Sequence, residues 1–240
     1  GIFLVTGGLA LLAIGVLWTL VPQPPHAPVK QVRPPVREVL HGDLWRLNAG
    51  IFLLHLTQMA LFVVLPARLL AAGMAVGDHW KMYLPVGALG FVLMLGPMRS
   101  AEMGNRMKPV FLAGVALLAL SQAGLAFVPD HVWPLAGLLL VFFTGFNLME
   151  AMLPSLVSRL VPANGRGLAL GVYSTCQSLG VFAGGAFGGL VLKYAGSTGV
   201  QLASAGLLVV WLLLARSARR WPSAASLRAG AAGKEAARQS

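Results

Sequence analysis

One cysteine in 240 residues, Cys176, leaves no internal disulfide and no cysteine-based metal cluster to be built. Acidic residues are scarce as well, with seven Asp and Glu against 18 Lys and Arg. Only 10% of the chain is charged while 57% is hydrophobic, a balance that suits lipid rather than water as the main solvent. The marks of an enzyme are missing too: there is no phosphate-cradling glycine loop, no metal-ligand cluster and no nucleophile beside a base. Nor does the net charge of +11 point to nucleic acid. That use clusters Lys and Arg with aromatics on one folded face, whereas here they sit between apolar runs.

What is present is a series of long apolar runs. A helix needs about 20 residues to cross roughly 30 Å of hydrocarbon. Residues 1–21, 47–70, 83–99, 109–128, 133–158, 167–192 and 198–215 meet that need. The breaks carry turn chemistry such as Pro22-Gln23-Pro24-Pro25, Pro129-Asp130 and Asn164-Gly165. The expected fold is therefore all-α, a polytopic membrane protein with seven transmembrane helices. The first run has no initiator Met, no basic leader and no small-residue cleavage site, so it does not read as a signal peptide. One run, a long break, then six more predicts the last helix of a preceding bundle, a linker and a complete second bundle.

The linker, 22–46, is rich in proline and should start extended and semi-rigid. Its end, Val36 to Arg46, mixes charge with Val39, Leu40, Leu44 and Trp45, which suits a short interfacial helix. The tail, 217–240, is Ala-, Ser- and Arg-rich, basic and too poor in apolar residues to fold alone, so a disordered tail is expected. Alternate breaks share the cations very unevenly. Arg68, Lys81 and Lys193 fall on one side, and the rest of the 18 on the other. Retention of basic loops inside the cell then places the linker and the C-terminus of a multi-pass membrane protein in the cytoplasm.

Ionisable groups inside spans are costly and point to function. His55 and Gln58 lie at i, i+3 in the second span, Asn147 and Glu150 likewise in the fifth, and Tyr173 and Gln177 at i, i+4 in the sixth. At 1.5 Å per residue, His55 is about 12 Å, Glu150 about 13 Å and Gln177 about 15 Å from the same membrane edge. Polar residues scattered by chance would not share a level, so these are expected to line a cavity. Pro154 removes the helical hydrogen bond to the Glu150 carbonyl and is expected to bend the helix. A carboxylate beside such a carbonyl belongs against protein or water, not lipid, and suits proton exchange. His55 is placed to share that proton or bind substrate.

Plainer roles compete. Gln58 and Asn147 also suit helix–helix hydrogen bonds, His55 a structural bond, and Glu150 a static pairing with His55 or Arg159. Gly180, Gly184 and Gly188 recur at i, i+4, i+8, with Gly185 and Gly189 one step round. Such small-residue stripes let another helix backbone come close, so packing is their expected role.

A Pro-rich linker followed by six spans resembles the second half of a major facilitator superfamily transporter. The runs His79-Trp80-Lys81-Met82-Tyr83-Leu84-Pro85-Val86, Phe146-Asn147-Leu148-Met149-Glu150-Ala151-Met152-Leu153-Pro154-Ser155-Leu156 and Arg166-Gly167-Leu168-Ala169-Leu170-Gly171-Val172-Tyr173-Ser174-Thr175-Cys176-Gln177 resemble its YajR-type bacterial branch. The likeness extends over residues 1–216. It implies that the spans are helices six to twelve of twelve, with 1–21 closing the N-terminal bundle and 47–216 forming the C-terminal one. Helices seven and ten line the central cavity in that fold, so His55, Asn147 and Glu150 are implied to face it. Helix eleven packs between the halves, which implies that the glycine stripe meets the N-terminal bundle. Gly96 to Lys108 takes the place of a cytoplasmic charged motif, where Glu102 with Arg106 and Lys108 forms either a gating ion pair or a solvated basic loop. Two departures stand out: helices one to five are absent, and the tail is too short for the soluble domain that YajR-type proteins can carry.

The implied function is proton-coupled efflux of small organic molecules by alternating access, with the proton gradient as coupling ion and no other cofactor. The implied partners are a small-molecule substrate, membrane lipid and the N-terminal bundle. Two other readings compete. A seven-helix receptor or photosensor fits the topology, but a retinal protein needs a Lys in its last span and 198–215 has none. A non-transporting membrane scaffold is the other.

Overall fold

The computed structural model describes residues 2–21, 42–103 and 106–217. The linker up to residue 41 and the tail from residue 218 lie outside them. The described residues are all helix and turn, without a strand. Residues 1–32 and 33–240 are two separate units.

In the first unit, α1 (Ile2–Leu20) is 19 residues long, enough to cross about 28 Å at the usual rise. It is apolar all round, with Phe3, Leu4, Leu9 and Leu12 pointing in different directions and all exposed. A helix without a polar face is built for hydrocarbon. Its one hydroxyl near the end, Thr19, bonds back to the Gly15 carbonyl at 2.7 Å and so presents no free donor to lipid.

The second unit contains α2 (Gly42–Ala71), α3 (Trp80–Met103), α4 (Met107–Phe127), α5 (Val132–Leu160) and α6 (Arg166–Arg216). Short 3-10 turns at Val76–Asp78 and Ala163–Gly165 join α2 to α3 and α5 to α6. Helix α2 stops at Gly73, whose φ of 86° only glycine adopts freely. The Met74 amide then bonds the Leu69 carbonyl and the Gly73 amide the Leu70 carbonyl, which satisfies the last carbonyls of the helix.

A straight α6 of 51 residues would be about 77 Å long, more than twice a bilayer core. Gly196, at φ 67° and ψ −172°, breaks it. Both arms then lie along α2, in opposite directions. Gly180, Gly184 and Gly188 of the first arm meet Phe52, Leu56 and Ala60 in ascending order. In the second arm Val200 packs with Ala60 and Val64, and Trp211 reaches back to Gly50. α6 is thus a helical hairpin, and the six helices long and apolar enough to span become seven segments among the described residues when α6 is divided at Gly196, as the apolar runs predict.

The helices outrun the apolar runs by several residues, because Gly42–Arg46 and Ser100–Met103 continue as helix into polar sequence. An apolar run measures contact with hydrocarbon, not the end of the helix. The residues 42–46 expected in a separate interfacial helix are the first turn of α2. Helix also continues unbroken through Pro66, Pro85, Pro97 and Pro154.

The glycine stripe corrects one implied contact. Gly180, Gly184 and Gly188 meet α2 of the same bundle, where an added Cβ would strike the Phe52 and Leu56 carbonyls or Ala60 Cα. Around Gly185 and Gly189 the space is open. Only one of the two stripes is therefore used between helices of this unit.

Two ion pairs tie the ends of the bundle. At one end Arg68 of α2, buried, bonds Asp130 Oδ1 through Nε at 2.6 Å. Its Nη2 bonds the Val128 carbonyl at 2.8 Å and its Nη1 the Leu125 carbonyl. At the other end Arg159 Nη2 of α5 meets Glu102 Oε1 of α3 at 3.2 Å.

Candidate functional site

Three of the expected cavity residues converge. His55 of α2 is buried, and its Nε2 lies 3.6 Å from Glu150 Oε1 of α5 and 3.0 Å from Gln177 Nε2 of α6. Its other ring nitrogen, Nδ1, is 3.3 Å from the Ile51 carbonyl one turn back. The 3.6 Å contact is an ion-pair distance, too long for a hydrogen bond. Helix spacing explains the meeting. The stripe that starts at Gly180, one turn beyond Gln177, brings α6 against the main chain of α2 at Phe52 and Leu56, the residues that bracket His55. α5 supplies the third wall, with the Phe146 ring edge-on to the imidazole at 5.6 Å between centroids.

Tyr173, one turn before Gln177, joins the same group. It is buried and close enough to Glu150 to feel its charge. Tyr173 Oη and Glu150 Oε1 are both buried without a hydrogen-bond partner among the described residues. A buried acceptor and a buried hydroxyl left without partners are costly in a finished core. They are suited to a polar group that comes and goes.

The remaining expected residues lie elsewhere. Asn147 turns toward α3, where its Nδ2 is 3.5 Å from the Gly87 carbonyl, a long helix–helix contact. Gln58 is half-buried and, among the described residues, joins none of the contacts around His55. Glu102 pairs with Arg159 across α3 and α5. Arg159 is thereby engaged away from Glu150. Arg106 stands as the cap before α4, with its backbone amide on the Ala101 carbonyl, and Lys108 sits in the first turn of α4.

Several buried polar residues escape a reading by apolar runs. Arg68 counts there as a loop cation, yet it is clamped 62 residues away to Asp130. Gln122 of α4 donates to the Thr57 carbonyl at 3.3 Å. Gln201 and Ser204, at i, i+3 in the second arm of α6, are buried as well. The available signal for the glutamines and Ser204 was polarity inside an apolar run.

Comparison with known proteins points to one family. The Major Facilitator Superfamily profile matches residues 1–184 and 101–238. The "Inner membrane transport protein YajR" of Escherichia coli K12 is 41% identical over 185 residues, which is 77% of this chain and 41% of that protein. An "Uncharacterized transporter BU466" of Buchnera aphidicola is 27% identical over 146 residues, 61% of this chain and 37% of the relative. An "Uncharacterized MFS-type transporter YhhS" of Salmonella typhi is 29% identical over 228 residues, 93% of this chain and 54% of the relative. The chain therefore spans well under two thirds of the length of these relatives.

Proposed function

Because the chain belongs to the Major Facilitator Superfamily, we propose that it builds one wall of the central cavity of a proton-coupled transporter that exports small organic molecules by alternating access. The observation that carries this reading is the His55–Glu150 pair, 3.6 Å apart between two helices of a multi-pass membrane protein. An ionisable pair at that depth is expensive unless it is used.

The Ile51 carbonyl can only accept, so the Nδ1 that faces it carries the hydrogen. Nε2 is then a lone pair whenever the ring is neutral. An ionised Glu150 would oppose that lone pair with its own, so a single proton between the two atoms is the stable arrangement. It resides either on Nε2, giving an imidazolium beside a carboxylate, or on Glu150. Removing it leaves Glu150 ionised with its buried Oε1 unpartnered, which favours the entry of a donor. A substrate bearing N–H or O–H groups would take that place, with the Tyr173 hydroxyl beside it. Proton and substrate then alternate, which is the requirement for antiport. In superfamily transporters such sites lie near the midplane between two bundles that rock about them. The rocking belongs to the full-length protein, of which this chain would supply one bundle.

The uneven sharing of Lys and Arg supports a cytoplasmic linker and C-terminus in the inner membrane. The test uses inverted vesicles that hold the full-length protein. A panel of organic solutes first identifies one that dissipates a respiration-driven proton gradient through the wild type. Glu150→Gln reduces that dissipation to the level of vesicles without the protein. Undiminished exchange in the variant overturns the role of Glu150.

A further inference from the structure

We infer that Gln177 is a positioning residue for the proton shared by His55 and Glu150: its amide donates to His55 Nε2 and biases the proton toward the carboxylate. The inference rests on the reading of His55 and Glu150 given above and assigns α6 a part in it.

With Nδ1–H held on the Ile51 carbonyl, Nε2 is the only ring atom free to gain or lose a proton. Two side chains approach it, Glu150 Oε1 at 3.6 Å and Gln177 Nε2 at 3.0 Å. An amide nitrogen can only donate, so the shorter contact is satisfied when Nε2 is a lone pair. If Nε2 took the proton, two donors would face each other at 3.0 Å. The amide would then have to turn its oxygen to the ring or withdraw. Gln177 therefore stabilises the state in which the proton sits on Glu150, and its amide must reorient each time the ring is charged.

The packing prevents an easy escape. The next turns of α6 put Gly180 and Gly184 against the main chain of Phe52 and Leu56, and Gly184 also against the Met59 Cβ, so no flexible side-chain end meets them that could give way. Reorientation of the amide is cheaper than separation of the backbones. Among the described residues, the titratable groups of the site besides His55 are Glu150 from α5 and Tyr173 from α6. Tyr173 Oη is buried without a hydrogen-bond partner among the described residues, so it is not the group that orients the imidazole.

The tautomer can be read directly by nitrogen NMR of the full-length protein labelled with 15N-histidine, with the His55 signals identified by their loss in His55→Gln. In the wild type near neutral pH, Nδ1 is expected at the protonated position and Nε2 at the unprotonated one. Gln177→Glu keeps the shape but presents an acceptor, and is expected to shift Nε2 to the protonated position. Gln177→Leu removes the donor and is expected to shift it part of the way. A wild-type signal with the proton on Nε2, or an Nε2 signal unmoved in both variants, overturns the inference. The wild-type spectrum decides even if a variant fails to fold. Neither result depends on transport, so failure here is distinct from continued exchange in Glu150→Gln, which breaks the reading of the site instead.

Discussion

Near the start of α5, which carries Glu150, the bundle is tied by a buried guanidinium with three acceptors, and near its finish by an ion pair that is partly exposed. At the start, Arg68 is only 7% exposed, and it ties α2 to Asp130 and to two carbonyls at the end of α4. At the finish, the Arg159 and Glu102 side chains are 25% and 47% exposed, with one oxygen engaged. Charge-assisted bonds in fixed geometry are strong, and a buried cation with all its acceptors in place is rigid. An exposed pair between two long side chains is weak and screened by salt. One ion pair is thus buried and rigid and the other exposed and weak, although the helix around the weaker one stays packed through Leu156 and Val157.

Substitutions at the two ends test that contrast. Arg68→Met should have the largest effect, since it leaves Asp130 without its partner and two carbonyls without a donor. A loss of about 3 kcal/mol is expected for breaking such a pair, read as a lower thermal midpoint in detergent. Should Arg68→Met melt like the wild type, the rigid end is not where it is placed here. Asp130→Asn keeps the carbonyl bonds and should cost less, about 1 kcal/mol. Glu102→Gln should be the mildest, below about 1 kcal/mol and smaller still at high salt. A Glu102→Gln protein as unstable as Arg68→Met would erase the difference between the ends.

How much of this was legible in the sequence depends on the range of the interaction. The spans follow from local composition, because hydrocarbon imposes a length and an apolar character on each helix separately. Even the break at Gly196 falls between two apolar runs. The meeting of His55, Glu150 and Gln177 was legible as a shared depth, since rise per residue is fixed. Direction around the axis was not, which is why Asn147, three residues from Glu150, turns to α3. The stripe at Gly180, Gly184 and Gly188 announced a close helix but not which one. Arg68 and Asp130 were invisible as a pair because nothing in a run of loop residues tells which turn will stand beside which helix.

The glycine stripe also has a consequence for measurement inside the site. Where two helices touch through side chains, the gap between them follows the sizes of those side chains and adjusts when any one of them changes. Here the gap is set by peptide against peptide, at Gly180 on Phe52 and Gly184 on Leu56. The main chain thus serves as a gauge block beside His55. Substitutions among the lipid-facing residues leave the gauge unaltered, whereas one methyl group at Gly180 would reset it and the separation between the ring of α2 and the amide of α6.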